Sequence, residues 1–371
     1  MPSRNRWQRH RTSLFAVVLG AVAAVALFDL LVRDGFTVGT WRATPLDWLF
    51  IAAHVPLLFY VVIPLVADRE QARTLWARFR ARPEAVVGLC WLAAVYLLGT
   101  VGIVLAPDLK LTFLHANQPP VFATIDATHV PQCAGRVVEG QCHGSWQYPL
   151  GTDLNGYRLE LLLLQGLHIT LYVSVISLAF IVPIALVVGV VAGYQGGLVD
   201  VVSIRSVEVQ DAVPPLIVYL LVIFITGESL LVILLLFGFL GWGGAARIVR
   251  SETRRLRDAE FVEAARALGG SDRHILGTHV VPAVSGVTIP TATRQVPILL
   301  LTEAGLAFLG LEAFDLQSFG NVIARGTVRG EVPLLVKWWV SGFAVATLAA
   351  TVVAFKVVGD ALVESLDPRM N

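Results

Sequence analysis

Apolar residues in this chain come in blocks. Runs of about twenty, the length that crosses a hydrocarbon core as a helix, occur at Ser13–Val32, Asp47–Val66, Glu84–Ala106, His168–Gly193, Ser203–Thr226, Ser229–Val249, Ala283–Leu309 and Leu334–Val358. The pattern predicts an all-α, polytopic integral membrane protein with about eight spans. The first run follows Arg4, Arg6, Arg9 and Arg11, as a secretory leader would. It is long for that role, and Phe28, Asp29 and Leu30 stand where a small-residue cleavage site is needed, so it is read as a span.

The polar connections orient the spans. The N-terminal arginines, the loop with Arg69, Arg73, Arg78, Arg80 and Arg82, and the segment from Arg247 to Arg273 fall on one side, which the positive-inside bias makes cytoplasmic. The long loop on the other side, 107–167, has only Lys110, Arg136 and Arg158. Eight spans return both termini to the cytoplasm of a multi-pass protein in the cell membrane. A composition shift at Arg82-Pro83 sets off two N-terminal spans (1–82) from six that follow (83–371).

Composition narrows the function. Hydrophobic residues make up 56% and charged residues 15%, against about 45–50% and about 25% in soluble domains. The net charge of +1 implies no attraction to nucleic acid. The lysines are Lys110, Lys337 and Lys356, and none follows a glycine, so a nucleotide-binding P-loop is absent.

The polar segment 250–282 holds the least expected pattern. From Asp258 to Leu268 a helix is predicted, with Phe261, Ala264, Ala265 and Leu268 on one shallow face. Gly269-Gly270 supplies a left-handed C-cap, Ser271-Asp272 caps a second helix, and Pro282 is expected to end it. Such a small-residue face can dock into a partner's groove; a solvated loop reads equally well from the pattern alone. A DNA-reading helix–turn–helix is excluded by the tether to membrane at both ends.

These residues carry a resemblance. Glu263-Ala264-Ala265, Gly269 and Pro282 resemble the EAA loop of permease subunits of binding-protein-dependent ABC importers, and EFVEAARALG resembles the dipeptide, oligopeptide and nickel branch, C-type half. The external Pro149-Leu150-Gly151-Thr152-Asp153, the turn Ala192-Gly193-Tyr194, the run Glu303 to Leu311 and the tail Leu366-Asp367-Pro368-Arg369 are similar to that branch in the same order. The resemblance implies a coupling helix at Glu263, Ala264, Ala265, Leu268, Gly269, Ser271 and Pro282 that sits on a separate ATPase. It also implies no catalysis in this chain, ATP and Mg2+ held by two P-loop ATPase partners, a second permease subunit in a heterodimer, and an extracytoplasmic solute-binding protein.

Ionisable residues within spans are functional candidates because they are costly in lipid. Arg205 and Glu208 can pair along one helix face, with Asp211 a turn further on. Arg294 and Glu303 lie about 13 Å apart along one predicted span, too far to pair. Arg294 stands where the resembled family has an apolar residue; it either lines the path and favours anionic cargo or snorkels to a neighbour. Glu208, Asp211, Arg294 and Glu303 are the translocation-path candidates. Cys133 and Cys142 share the external loop and are candidates for a disulfide; with His129 and His143 nearby no metal spacing results, and none is assigned.

Two departures from the family stand out. The external Arg–Asp and Ser-Arg features that normally follow Gly151-Thr152-Asp153 are missing, which leaves open how that face is held. The two N-terminal spans are additional. The reading is a permease half that moves dipeptides, oligopeptides or nickel by alternating access. The alternative is an ATP-independent secondary transporter or channel; an intramembrane enzyme lacks any H-E-x-x-H or G-x-S-x-G.

Overall fold

The computed structural model describes residues 2–32, 36–38, 41–311, 317–327 and 333–366. Among these, seven helical stretches are long and apolar enough to cross a bilayer, or eight if one bent pair counts as a span. The tail residues Asp367 to Arg369 lie outside the described residues.

The chain opens with α1 (Pro2–Val32), a two-residue ladder of β1 (Thr37–Val38) and β2 (Trp41–Arg42), and α2 (Pro45–Leu57). Thr44 and Asp47 form a reciprocal capping box, and Pro45 takes the first turn, where a missing N–H costs nothing. A wide π-turn at Leu58–Val62 leads into α3 (Ile63–Ala67). That turn sits just before Pro64, whose ring and absent N–H do not fit a regular helix. The polar α4 (Arg69–Arg80) lies along the arginine-rich side and buries Phe79 against Ala85, Val358 and Ala361.

Next come α5 (Pro83–Leu97), a π-turn at Leu98–Gly102 and α6 (Ile103–Leu105). The π-turn loosens the Gly99 carbonyl, and His168 Nδ1 donates to it at 2.7 Å. The segment that follows, expected from the sequence to form the external layer, is compact. It contains β3 (Thr124–Asp126), β4 (Val137–Val138) and β5 (Gln141–His143), antiparallel in the order β3-β5-β4. Cys133 and Cys142 are joined by a disulfide.

The organising element is α7 (Leu159–Gln195), 37 residues and about 55 Å long, so both ends pass beyond a hydrocarbon core of about 30 Å. Gly166 admits the Phe319 ring against its backbone. α8 (Gly197–Ala212) and α9 (Pro215–Thr226) are bent by 77°. Pro214 holds Val213 extended and Pro215 starts a new helix, so the expected span Ser203–Thr226 is a bent pair rather than a rod.

The expected span Ser229–Val249 is also interrupted. α10 (Leu230–Leu240) stops at Gly241-Trp242, and α11 (Gly243–Arg257) carries on well past Val249. The polar loop is correspondingly shorter than 250–282. It contains α12 (Glu260–Ala267) and α13 (Asp272–Ile275), and α13 runs through a π-turn at Leu276–Val280 into α14 (Val281–Thr293). Pro282 therefore does not end the second helix. The π-turn just ahead of it absorbs the ring, as at Pro64, and the chain continues as helix. A turn at Arg294-Gln295 separates α14 from α15 (Val296–Phe308), where Pro297 offers no N–H to close the ladder. α16 (Phe319–Thr327) and α17 (Trp338–Leu366) complete the described chain.

The main core gathers Leu162, Ile176, Ile233, Phe237, Leu300, Phe319 and Trp339 around the N-terminal two thirds of α7. A separate small core, with Val190, Tyr194, Val249, Val262, Ile275 and Val280, lies at its C-terminal end, the inner end by the expected orientation.

Candidate functional site

The arginine-rich side presents the polar helix pair. α12 follows α11 after Asp258-Ala259, and its last turn closes onto Gly269, whose φ of +80° only glycine adopts without strain. Ser271 caps α13, its Oγ accepting from the His274 N–H at 3.4 Å. Val262 is the residue that α12 buries. The face expected from Phe261, Ala264, Ala265 and Leu268 is therefore turned: Ala265 is half-buried, while Phe261 is 47% and Leu268 89% exposed. The reason is tertiary: α12 packs Val262 onto the small core rather than onto lipid. Glu263, Ala264, Leu268 and Gly269 are exposed together.

Behind this surface the loop is fastened to the spans. The Tyr194 hydroxyl donates to Asp272 Oδ1 at 2.7 Å and accepts from Arg266 at 3.2 Å. Asp200, buried at the start of α8, receives two hydrogen bonds from Arg250 and one from Arg254 at 2.8 Å. α7 and α11 meet along Gly189 and Gly193; a Cβ at Gly193 would lie 2.6 Å from the Arg250 carbonyl oxygen. Arg78 donates to the Ser365 carbonyl and Arg82 pairs with Glu364, which brings the earlier basic loop to the same end of α17.

The charged span residues separate into pairs. Arg205 and Glu208 bond at 2.6 Å, both exposed, as their spacing predicts. Asp211 takes Arg247 of α11 as its partner at 2.5 Å. Arg294, at the α14–α15 turn, pairs with Asp360 of α17 at 2.9 Å. Glu303 is buried in α15 at 4% exposure. The structure does not bring these four candidates into one site.

At the opposite face, Gly151, Thr152 and Asp153 are buried rather than displayed. Asp153 accepts from the Asn155 and Tyr157 N–H groups, each at 2.9 Å, and from Arg325 of α16 at 3.1 Å. Lys337 donates to the Arg325 carbonyl at 3.0 Å. Burial pushes the Asp153 carboxyl up from its ordinary value, with Arg325 opposing, and burial holds the Lys337 ammonium below its own. Thr152 donates to the His115 carbonyl and its own carbonyl accepts from Trp339 Nε1. Arg325 and Lys337 thus hold a face for which the sequence suggested no partner. A lone lysine beside a tryptophan pair was the available signal, but 184 positions separate Lys337 from Asp153.

Comparison with known proteins bears on what this architecture is. Residues 185–371, which include α8 to α17 and with them the polar helix pair, match the family of binding-protein-dependent transport system inner membrane components. The chain belongs to this family. It is 33% identical over 220 residues to the oligopeptide transport system permease protein OppC of Haemophilus influenzae, covering 59% of this chain and 70% of that one. To OppC of Escherichia coli K12 it is 35% identical over 220 residues, covering 59% and 72%. To the dipeptide transport system permease protein DppC of Bacillus subtilis it is 28% identical over 301 residues, covering 80% and 85%. The chain is accordingly a multi-pass permease subunit of an ABC importer, and it works with other transporter subunits. Within that permease, the helix pair α12–α13 keeps Glu263, Ala264 and Leu268 exposed while its rear face is fastened to α7.

Proposed function

We propose that this chain is the C-type permease half of an ATP-driven importer of dipeptides or oligopeptides across the cytoplasmic membrane. It contributes half of an alternating-access path, and a second permease subunit contributes the other half. Two P-loop ATPase subunits bind ATP and Mg2+ and do the hydrolysis, and an extracytoplasmic binding protein delivers cargo. This chain is non-catalytic. The peptide class rests on the names of the relatives; the arginine-rich side, with both termini, is cytoplasmic by the positive-inside bias.

The observation that carries the coupling role is the exposure of Glu263, Ala264 and Leu268 on a capped helix pair whose rear face is packed and hydrogen-bonded. A free front on a fixed back is what force transfer requires: the partner grips one side while the other side cannot slip. Glu263 is placed to accept a charge-assisted hydrogen bond from the ATPase. Arg294 is a structural partner of Asp360 in this reading rather than a cargo ligand.

The test is reconstitution of this chain with its partner permease, ATPases and binding protein in liposomes, with uptake of a labelled tripeptide, and of nickel as a comparator. ATP-dependent peptide uptake that Glu263→Lys abolishes while the protein still inserts is expected. Uptake without ATP, or full coupled uptake by Glu263→Lys, overturns the coupling reading.

A further inference from the structure

We infer that Tyr194 is a positioning residue that transmits motion of the α12–α13 pair into α7; the inference rests on the proposal that this pair receives the ATPase. Four observations converge on it. Tyr194 stands in the last turn of α7 and is 9% exposed. Its single hydroxyl meets both helices of the pair, accepting from Arg266 in the last turn of α12 and donating to Asp272 in the first turn of α13. The Arg266 guanidinium also lies over its ring, 5.9 Å from the centroid. Finally, the pair's own apolar residues, Val262 and Ile275, belong to the small core that includes Tyr194 and stands apart from the main one.

The physical consequence concerns which motions are stiff. Apolar packing in a small core resists separation but permits sliding, because dispersion is non-directional. The hydrogen-bond chain Arg266–Tyr194–Asp272 is directional and joins two helices to a third at one atom. It fixes the tilt of the pair against α7. At that same end, α7 is locked to α11 where Gly193 lets the Arg250 backbone approach, so a tilt of the pair cannot be taken up by slack between those two spans. A displacement imposed on Glu263 and Leu268 then becomes a displacement of α7, which reaches the external layer through Leu159.

Tyr194→Phe tests this, since it keeps the ring and its packing and removes only the hydroxyl. In the reconstituted transporter, ATPase association with the permease is measured together with peptide transported per ATP hydrolysed. The expected result is unchanged association and a fall in that ratio of roughly tenfold or more, the effect of losing the hydroxyl's two hydrogen bonds, to Asp272 and from Arg266. Asp272→Asn and the Tyr194→Phe/Asp272→Asn double variant complete a cycle in which the double is no worse than Tyr194→Phe alone. An unchanged ratio in Tyr194→Phe overturns the inference. So does loss of ATPase association, which would make Tyr194 part of docking rather than transmission. If the wild-type chain itself binds no ATPase, the underlying proposal fails instead, and the two failures are distinguishable.

Discussion

Asp153 to Ala removes the carboxylate that holds Arg325. Both side chains are almost fully enclosed, at 0% and 6% exposure, and the pair bonds at 3.1 Å. Removing one partner of such a pair leaves the other charge buried and costs about 3–5 kcal/mol. The two backbone N–H groups of Asn155 and Tyr157 lose their acceptor as well, and that cost falls within the same range. Asp153→Asn keeps a carbonyl for them and loses only the charge, so it should cost less than Asp153→Ala. Arg325→Met alone strands the carboxylate; combined with Asp153→Asn it removes both charges, and much of the loss should return. Amide hydrogen exchange across 107–158 and α16 in lipid nanodiscs reads this directly. At about 1.4 kcal/mol per factor of ten, Asp153→Ala should speed exchange there by roughly a hundredfold or more, while the inner end of α7 is unaffected. Single variants within a few-fold of wild type, or strictly additive losses in the double variant, would refute the claim that this pair fastens the external layer to α16.

Gly193→Val should separate α7 from α11, because its first added carbon already meets the Arg250 carbonyl and Thr253; a loss of about 1–3 kcal/mol in detergent unfolding is expected. Tyr172→Phe removes a buried hydroxyl that donates to Asp47 of α2, and limited proteolysis should release α1 and α2 sooner by the equivalent of about 1.5–3 kcal/mol. Lys337 binds its proton less tightly when folded than when unfolded, because burial lowers its pKa. The unfolded state then holds more protons just below the ordinary lysine value of about 10.4, so protection of the external layer should rise with pH through that window, and Lys337→Met should abolish the slope. Arg294→Leu leaves Asp360 without its partner; reduced membrane yield is expected, recovered by Asp360→Asn in the same chain, with cargo preference unchanged in uptake assays.

Much of the architecture was legible in the chain because the bilayer sets one length and one polarity. Each hydrophobic block longer than about 18 residues has few options, so the apolar blocks and their order followed from the chain, while the breaks at Val213-Pro214, Gly241-Trp242 and Arg294-Gln295 did not. The caps at Gly269 and Ser271 were equally local, since a left-handed turn and an N-cap are properties of a few adjacent residues. Pro282 shows where locality fails. Proline predicts a stop, yet one wide turn from Leu276 to Val280 lets the helix continue, and periodicity cannot distinguish those outcomes.

What the sequence determined, then, is what depends on neighbours along the chain: the apolar blocks and the presence of a capped helix pair bearing Glu263. Tertiary structure alone decided which polar groups distant in sequence meet. Asp153 with Arg325, Arg294 with Asp360, Asp211 with Arg247 and Tyr194 with Asp272 are joined across 172, 66, 36 and 78 positions respectively. No repeat or spacing links such partners; they are set by which helices pack together, and that depends on glycines such as Gly166 and Gly193 permitting close contact at particular heights along α7. The same packing turned α12 so that Val262 went inward and Leu268 outward, because a short helix with two modest apolar faces takes its orientation from the surface it lands on.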